Sequence, residues 1–429
     1  MTLPGAPFVG WRGDALHLED CDLQALAREH GTPLYAYSRS AMRSALAAYE
    51  QALAGRPHLV CYAMKANSSL AVLQTFAQAG AGFDIVSGGE LARVLAVGVE
   101  GSRIVFSGVG KTRAEMRRAL QAGVRCFNIE SEPELRVLAE VARDLGVRAP
   151  VSLRVNPDVD AGTHPYISTG LRDNKFGIAH ERALAVYREA ASLPSLQVVG
   201  IDCHIGSQIT ETSPYLDALD RVLDLVEALA RDGIALQHLD VGGGLGITYR
   251  DEQPPAAGDL VRQVLQRLDA RGHGALELLL EPGRSLVGNA GVLLTEVLYL
   301  KPGAEAGTAG QGKNFCIVDA AMNDLMRPAM YEAWMGIVPC RRRHEPAATW
   351  DVVGPVCESG DWLGRDRELA VQPGDVLAVL SAGAYGMTMA SNYNTRGRAA
   401  EVMVEGDRQW LIREREDVKS LFAGERLID

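Results

Sequence analysis

The 429-residue chain has no run of about 18 apolar residues, so no membrane-spanning helix is expected. Its seven cysteines include no CxxC pair. That argues against a structural zinc centre or a disulfide framework, and for a reducing compartment such as the cytoplasm. It also lacks a basic excess: 43 Lys and Arg against 54 Asp and Glu leave a net charge of -11. Neither nucleic acid nor an anionic membrane is therefore an expected partner. The opening MTLPGAPFVGWRGD has no basic start and no apolar run, so a secretion signal is not expected. What is present is ample apolar material, 47% hydrophobic against 23% charged, enough for roughly two domains with packed cores.

From about residue 59, short β-type runs alternate with helical runs. The strand candidates are LVCYAMK (59–65), GFDIVS (82–87), RIVFSG (103–108), CFNIE (126–130), VSLRVNP (151–157), VVGIDCHIG (198–206), HLDVGGG (238–244) and LELLLEP (276–282). The intervening runs, EPELRVLAEVARDLG for example, place apolar residues at i, i+3 and i+4. Strict alternation predicts parallel strands with right-handed crossovers, and eight units over about 250 residues match a closed (β/α)₈ barrel. An open doubly wound sheet is the alternative. After residue 290 the texture becomes β-type, broken by turn signals such as QPGD and EGD, which predicts a separate antiparallel β domain. The first 30 residues, with one short helix at LQALAREHG, do not fit the barrel rhythm. The expected division is 31–282 for the barrel, with 1–30 and 283–429 in the β-rich domain.

A barrel of this kind gathers its chemistry at the C-terminal ends of its strands. Lys65 ends the first strand, where partial desolvation would make it a nucleophile toward an aldehyde; a solvated loop lysine is the alternative. His204 in HIGSQ follows strand six and offers a flat ring for stacking, with Ser207 as an anion ligand. A buried, satisfied histidine is the plainer reading. The Gly242, Gly243, Gly244 run follows strand seven, where backbone N–H groups approach anions closely, although a glycine run is also an ordinary turn. Glu281 in EPGR would lie across the mouth from Lys65, where a carboxylate keeps a pyridine nitrogen protonated. A Glu281–Arg284 ion pair closing the barrel competes with that reading. In the β domain, the turn GPVCESGD carries Cys357 beside Glu358, and Cys357 is either a proton donor or an ordinary half-buried thiol.

Ten segments, CYAMKAN, FDIVSGGEL, LRVNP, GLRDNKFGI, HIGSQ, DVGGGLG, EPGRSLVGNAG, VDAAMNDLMRPAMY, GPVCESGD and AGAYGMTMASNYN, lie within about residues 35–395. In content and order they resemble the fold-type III pyridoxal phosphate (PLP) decarboxylases. The resemblance implies that Lys65 carries PLP covalently, with Asp84 and Glu90 nearby. It implies that His204 stacks on the ring and Glu281 pairs with its nitrogen. Ser207, Gly242, Gly243, Gly244, Gly283, Arg284 and Tyr385 would hold the cofactor. Arg284, Arg327, Tyr331, Glu358 and Tyr385 would meet the substrate, and Cys357 would be the general acid. It further implies a homodimer with shared sites, Cys357 and Glu358 coming from the partner chain, and an N-terminal segment that joins the β domain. No catalytic position departs from the pattern, and GTAGQG (307–312) reads as a loop difference.

Within that family the pattern is similar to enzymes that convert meso-2,6-diaminopimelate to L-lysine and CO₂, the last step of lysine biosynthesis. Arginines and an acid in the distal pocket suit a substrate bearing both a carboxylate and an ammonium at its far end. Decarboxylation of ornithine, arginine or a specialised substrate is the first rival. A racemase fits the GPVCESGD and MRPAMY segments less well. A non-catalytic PLP-binding homologue is expected to have lost Lys65 or Cys357, and both are present.

Overall fold

The computed structural model describes residues 2–160, 175–303 and 312–429. GLRDN (170–174) in one motif, and GTAGQ (307–311), lie outside them. Contacts divide the chain into two units: one of residues 43–247 and 253–286, the other of 1–42, 248–252 and 287–429.

The first unit is a closed parallel barrel. Its strands are β1 (His58–Ala63), β2 (Gly82–Ile85), β3 (Ile104–Phe106), β4 (Cys126–Ile129), β5 (Ala149–Asn156), β6 (Leu196–Asp202), β7 (His238–Asp240) and β8 (Glu277–Leu280). Each pairs in parallel with the next, and β8 closes onto β1 through Leu278–His58, Leu279–Leu59 and Leu280–Val60. All eight expected strands are present, so the open-sheet alternative is excluded. The connecting helices start and stop where local chemistry dictates. Thr112 and Glu115 form a reciprocal cap on Arg113–Ala122, and Gly123 ends that helix in a left-handed conformation.

Strand parity sorts the barrel interior. Leu59, Cys61, Val105, Cys126, Val199 and Leu279 form a dry apolar cluster. Toward the strands' C-terminal ends, buried polar residues take over: Asp84, Ser107, Asn128, Arg154, Asp202, Asp240 and Glu281. Close packing dictates one glycine here. A β-carbon on Gly200 would overlap the His238 imidazole, which is buried and kept neutral, its pKa pushed down to about 3 by burial and by Arg125. Gly200→Ala is therefore expected to cost about 3 kcal/mol through overpacking, lowering the urea midpoint. A further His238→Ala change, which opens the space, should restore part of the loss; strict additivity of the two changes would refute this account.

The second unit differs from the antiparallel domain expected: its main sheet is mixed. Gly291–Lys301 runs antiparallel to Leu34–Ser38 and to Phe315–Val318. Leu34–Ser38, however, pairs in parallel with Ala400–Glu405, and Phe315–Val318 in parallel with Ala348–Val353. The reason is topological. Leu34–Ser38, expected in the barrel, inserts between two strands from the far end of the chain, a non-local pairing invisible to local periodicity. A small antiparallel sheet, Val9–Arg12, Ala15–Leu18 and Cys21–Asp22, packs Leu16 and Leu18 into the same core as Leu34, Val292, Leu380 and Val402.

Candidate active site

Backbone hydrogen bonds continue past the strand ends and set the barrel mouth. The Glu281 N–H donates to Gly242 O at 2.8 Å, Cys203 N–H to Asp240 O at 3.0 Å, and Ala63 N–H to Pro282 O at 3.1 Å. The last of these ties the EPGR turn to the end of β1. Gly283 is required there, since a β-carbon would press on Ala63 and Ala66.

Lys65 stands in the single 3₁₀ turn Met64–Ala66 that follows β1. Its Nζ donates to Asp84 Oδ2 at 2.7 Å; the lysine side chain is 38% exposed and the Asp84 side chain wholly buried. An ion pair, rather than the expected desolvation, thus holds the amine at the rim. Asp84 acts as the fixed partner because β2 delivers it from a fully buried strand. Glu90, near the start of helix Gly88–Ala96, accepts the Val86 N–H at 2.6 Å, and burial raises its carboxyl above the usual range despite that bond.

The imidazole of His204 accepts the Gly243 N–H on Nδ1 at 3.1 Å, which leaves the proton of a neutral ring on Nε2. Burial, with Arg154 and Lys65 facing the ring, holds its pKa well below the ordinary value, so the ring is neutral. The glycine run behaves differently from the simple anion cradle expected. Gly242 gives its N–H to Asp240 Oδ1 at 2.8 Å and Gly243 gives its own to His204. Gly244, left-handed at φ +108, is the member whose N–H has no acceptor among the described residues. β-Carbons at all three would collide with neighbouring backbone, so the run is as much a packing requirement as a ligand site. Beside Gly244, Arg284 donates to Ser207 Oγ at 3.0 Å. Among the described residues Glu281 forms no ion pair, so the Glu281–Arg284 closure is not made. Its Oε1 instead lies 3.4 Å from Asn128 Nδ2 and 3.5 Å from Ser107 Oγ.

Several residues of this mouth were not singled out from sequence. Arg154 pairs with Glu130 at 3.0 Å, both nearly buried, and Glu130 also accepts the N–H groups of Gly108 and Gly177. Asp202, Asp240 and Glu281 bring carboxylate oxygens within 4.8 Å of one another, all buried. Burial and mutual repulsion raise the Asp202 and Glu281 carboxyls well above the usual range, and burial pushes Asp240 up to about 7. The available signal was polar residues at inward-facing parity in otherwise apolar strands.

Five sequence candidates lie in the other unit. Arg327, buried at the head of the short helix Arg327–Tyr331, lays its guanidinium over the rings of Tyr249, 5.1 Å away, and Tyr331, 5.8 Å away. Tyr385 has a left-handed backbone at φ +56. Cys357 is the exposed member of seven free cysteines, and its N–H donates to Asn394. Glu358, also exposed, hydrogen-bonds Tyr393 and raises that hydroxyl's pKa. Asp361 builds their turn by accepting the N–H groups of Val356 at 2.7 Å and Met322 at 2.6 Å.

The barrel mouth thus offers a rim lysine, an anion corner, a neutral imidazole and a buried acid cluster that, among the described residues, bonds no cationic side chain. That set fits a phosphate-bearing aldehyde with a basic ring nitrogen. Residues 39–288 match the family model described as pyridoxal-dependent decarboxylase, pyridoxal binding domain. The chain is 59% identical to the diaminopimelate decarboxylase of Pseudomonas aeruginosa, covering 97% of this chain and 98% of that one. It is 58% identical to the diaminopimelate decarboxylase of Vibrio cholerae, over 96% and 97%. The crystal structure of diaminopimelate decarboxylase from M. jannaschii in co-complex with L-lysine superposes with a TM-score of 0.93 at 39% identity, covering 99% of each chain.

Proposed function

The chain belongs to the pyridoxal-dependent decarboxylases, and on that premise we propose the following account of its reaction. It is a PLP-dependent carboxy-lyase that converts meso-2,6-diaminopimelate to L-lysine and CO₂, the last step of lysine biosynthesis. The observation that carries this is near-full-length identity of 58–59% to curated enzymes of that activity, joined to a rim lysine held by a buried aspartate. The direct test incubates the chain with meso-diaminopimelate, ornithine, arginine and lysine separately and scores CO₂. Release from diaminopimelate alone is expected; equal release from ornithine or arginine overturns the substrate.

The roles assigned to individual residues follow from chemistry. Lys65 holds the cofactor covalently, and Asp84 orients its amine. His204, neutral, lies against the ring, and Glu281 faces the ring nitrogen. Ser207, Gly244, Gly283, Arg284 and Tyr385 hold the phosphate, Gly242 and Gly243 serving mainly to shape that corner. Bound PLP supplies an electron sink for the pair left behind when CO₂ departs. Arg327, Tyr331 and Glu358 hold the far carboxylate and ammonium of the substrate, and Cys357 keeps a proton on Sγ for return to the reacting carbon.

The working unit in this proposal is a homodimer, with Cys357 and Glu358 serving the partner's site. Support comes from their exposure on a turn whose backbone Asp361 hydrogen-bonds. Mixing inactive Lys65→Ala with inactive Cys357→Ala should recover about one quarter of wild-type activity, because random exchange leaves one intact site in about half of the dimers. No recovery, with exchange confirmed, would assign each site to one chain. A cytoplasmic location is proposed on the free thiols; among the described residues no helix is long and apolar enough to cross a membrane.

A further inference from the structure

Asp240 ends β7 and is wholly buried. Its Oδ1 accepts the Gly242 N–H at 2.8 Å, which fixes the plane of the carboxyl. Its Oδ2 is buried with no hydrogen-bond partner, and carboxylate oxygens of Asp202, Asp240 and Glu281 lie within 4.8 Å of one another. Asp202 Oδ1, on the neighbouring strand, is likewise buried without a partner. The groups facing this trio are Lys65 from the turn after β1, Asp84 from β2, Glu130 just past β4, Arg154 from β5, and the thiols Cys61, Cys126 and Cys203. Both cations are engaged elsewhere, Lys65 with Asp84 and Arg154 with Glu130. Three buried carboxylates within 4.8 Å, with no cationic side chain bonded to them among the described residues, repel one another too strongly to be ionised together. Protons are therefore held among them, and they titrate as a set.

We propose that Asp240 is a positioning residue for the reaction: it keeps a proton on Oδ2, donates it as a hydrogen bond to Glu281, and leaves Glu281 as the ionised carboxylate offered to the ring nitrogen of PLP. This rests on the assignment of Glu281 given above. No bond to carbon changes and nothing is oxidised. The O–H bond stays on Asp240, and the electron pairs of Glu281 remain for the protonated ring nitrogen. The arrangement solves a problem of burial. Glu281 alone would protonate itself and no longer favour a charged ring, whereas with a donor behind it the negative charge is shared. Geometry supports the choice of Asp240 over Asp202, since the Gly242 N–H orients Asp240 from the opposite side and directs its free oxygen.

The test uses holoenzyme carrying PLP isotopically labelled at the ring nitrogen, read by nitrogen NMR across pH, with circular dichroism to confirm folding. Asp240→Leu removes the donor at similar volume. Its resonance should move toward the unprotonated-ring position, and kcat should fall at least about fivefold. Asp240→Asn donates from the same position, so its resonance should stay at the wild-type position across the pH range. A folded, PLP-loaded Asp240→Leu chain with an unmoved resonance overturns the proposal. So does Asp240→Asn displacing the resonance toward the unprotonated position, which alone decides the matter where the leucine chain does not fold. Glu281→Gln separates the two levels of inference. If it shifts the resonance and Asp240→Leu does not, only the role of Asp240 fails; if it leaves the resonance in place, the assignment of Glu281 falls first.

Discussion

Lys65→Ala abolishes turnover, lowering kcat by about four orders of magnitude or more, while the chain remains folded. The chemistry needs a primary amine at that place, and the 3₁₀ turn after β1 presents one at the mouth. Folding survives because the lysine side chain lies partly in solvent and contributes little to core packing. The change leaves Asp84, whose carboxyl is fully buried, without Lys65 as its ion partner at the rim. A small fall in thermal midpoint is therefore expected, far short of unfolding. Borohydride reduction of the holoenzyme followed by peptide mapping checks the site independently, and label on any other lysine would falsify the assignment.

The second large effect concerns the far end of the substrate. Arg327→Ala should lower kcat/KM for meso-diaminopimelate about a hundredfold while changing the slow turnover of ornithine little. A planar guanidinium binds a carboxylate at two points, geometry that a lysine does not supply. Arg327 is buried and its guanidinium lies over the rings of Tyr249 and Tyr331, which restrict its motion. Arg284, engaged with Ser207 in the anion corner, is less suited to that task. Arg327→Lys should fall between wild type and alanine. Parallel loss on both substrates would instead mean that Arg327 supports the fold and does not select the substrate.

Much of the site was legible because strand ends announce themselves. Lys65, Glu281 and His204 each follow an apolar run directly, and in a barrel that position leads to the mouth. The glycine run after β7 was also visible, but its hydrogen bonds were not. That Gly242 and Gly243 give up their N–H groups internally depends on where Asp240 and His204 come to lie, from two different strands. Asp202 and Asp240 went unremarked for a related reason. An aspartate inside a short apolar strand gains meaning when its inward neighbours on adjacent strands are also acids.

The sequence by itself determined the eight strand–helix units, their parallel order, and the residue types waiting at their ends. These follow from periodicity of two and 3.6, glycine and proline punctuation and capping chemistry, all set within a few residues of chain. Only the tertiary structure decided that Leu34–Ser38 leaves the barrel to pair with Gly291–Lys301 and Ala400–Glu405, making that sheet mixed. It alone decided that Lys65 is ion-paired and that Asp202, Asp240 and Glu281 converge. Barrel closure and strand insertion join residues far apart in the chain, and the charges they bring together set which carboxyls hold protons. Such energies depend on distances between strands, which no local pattern encodes.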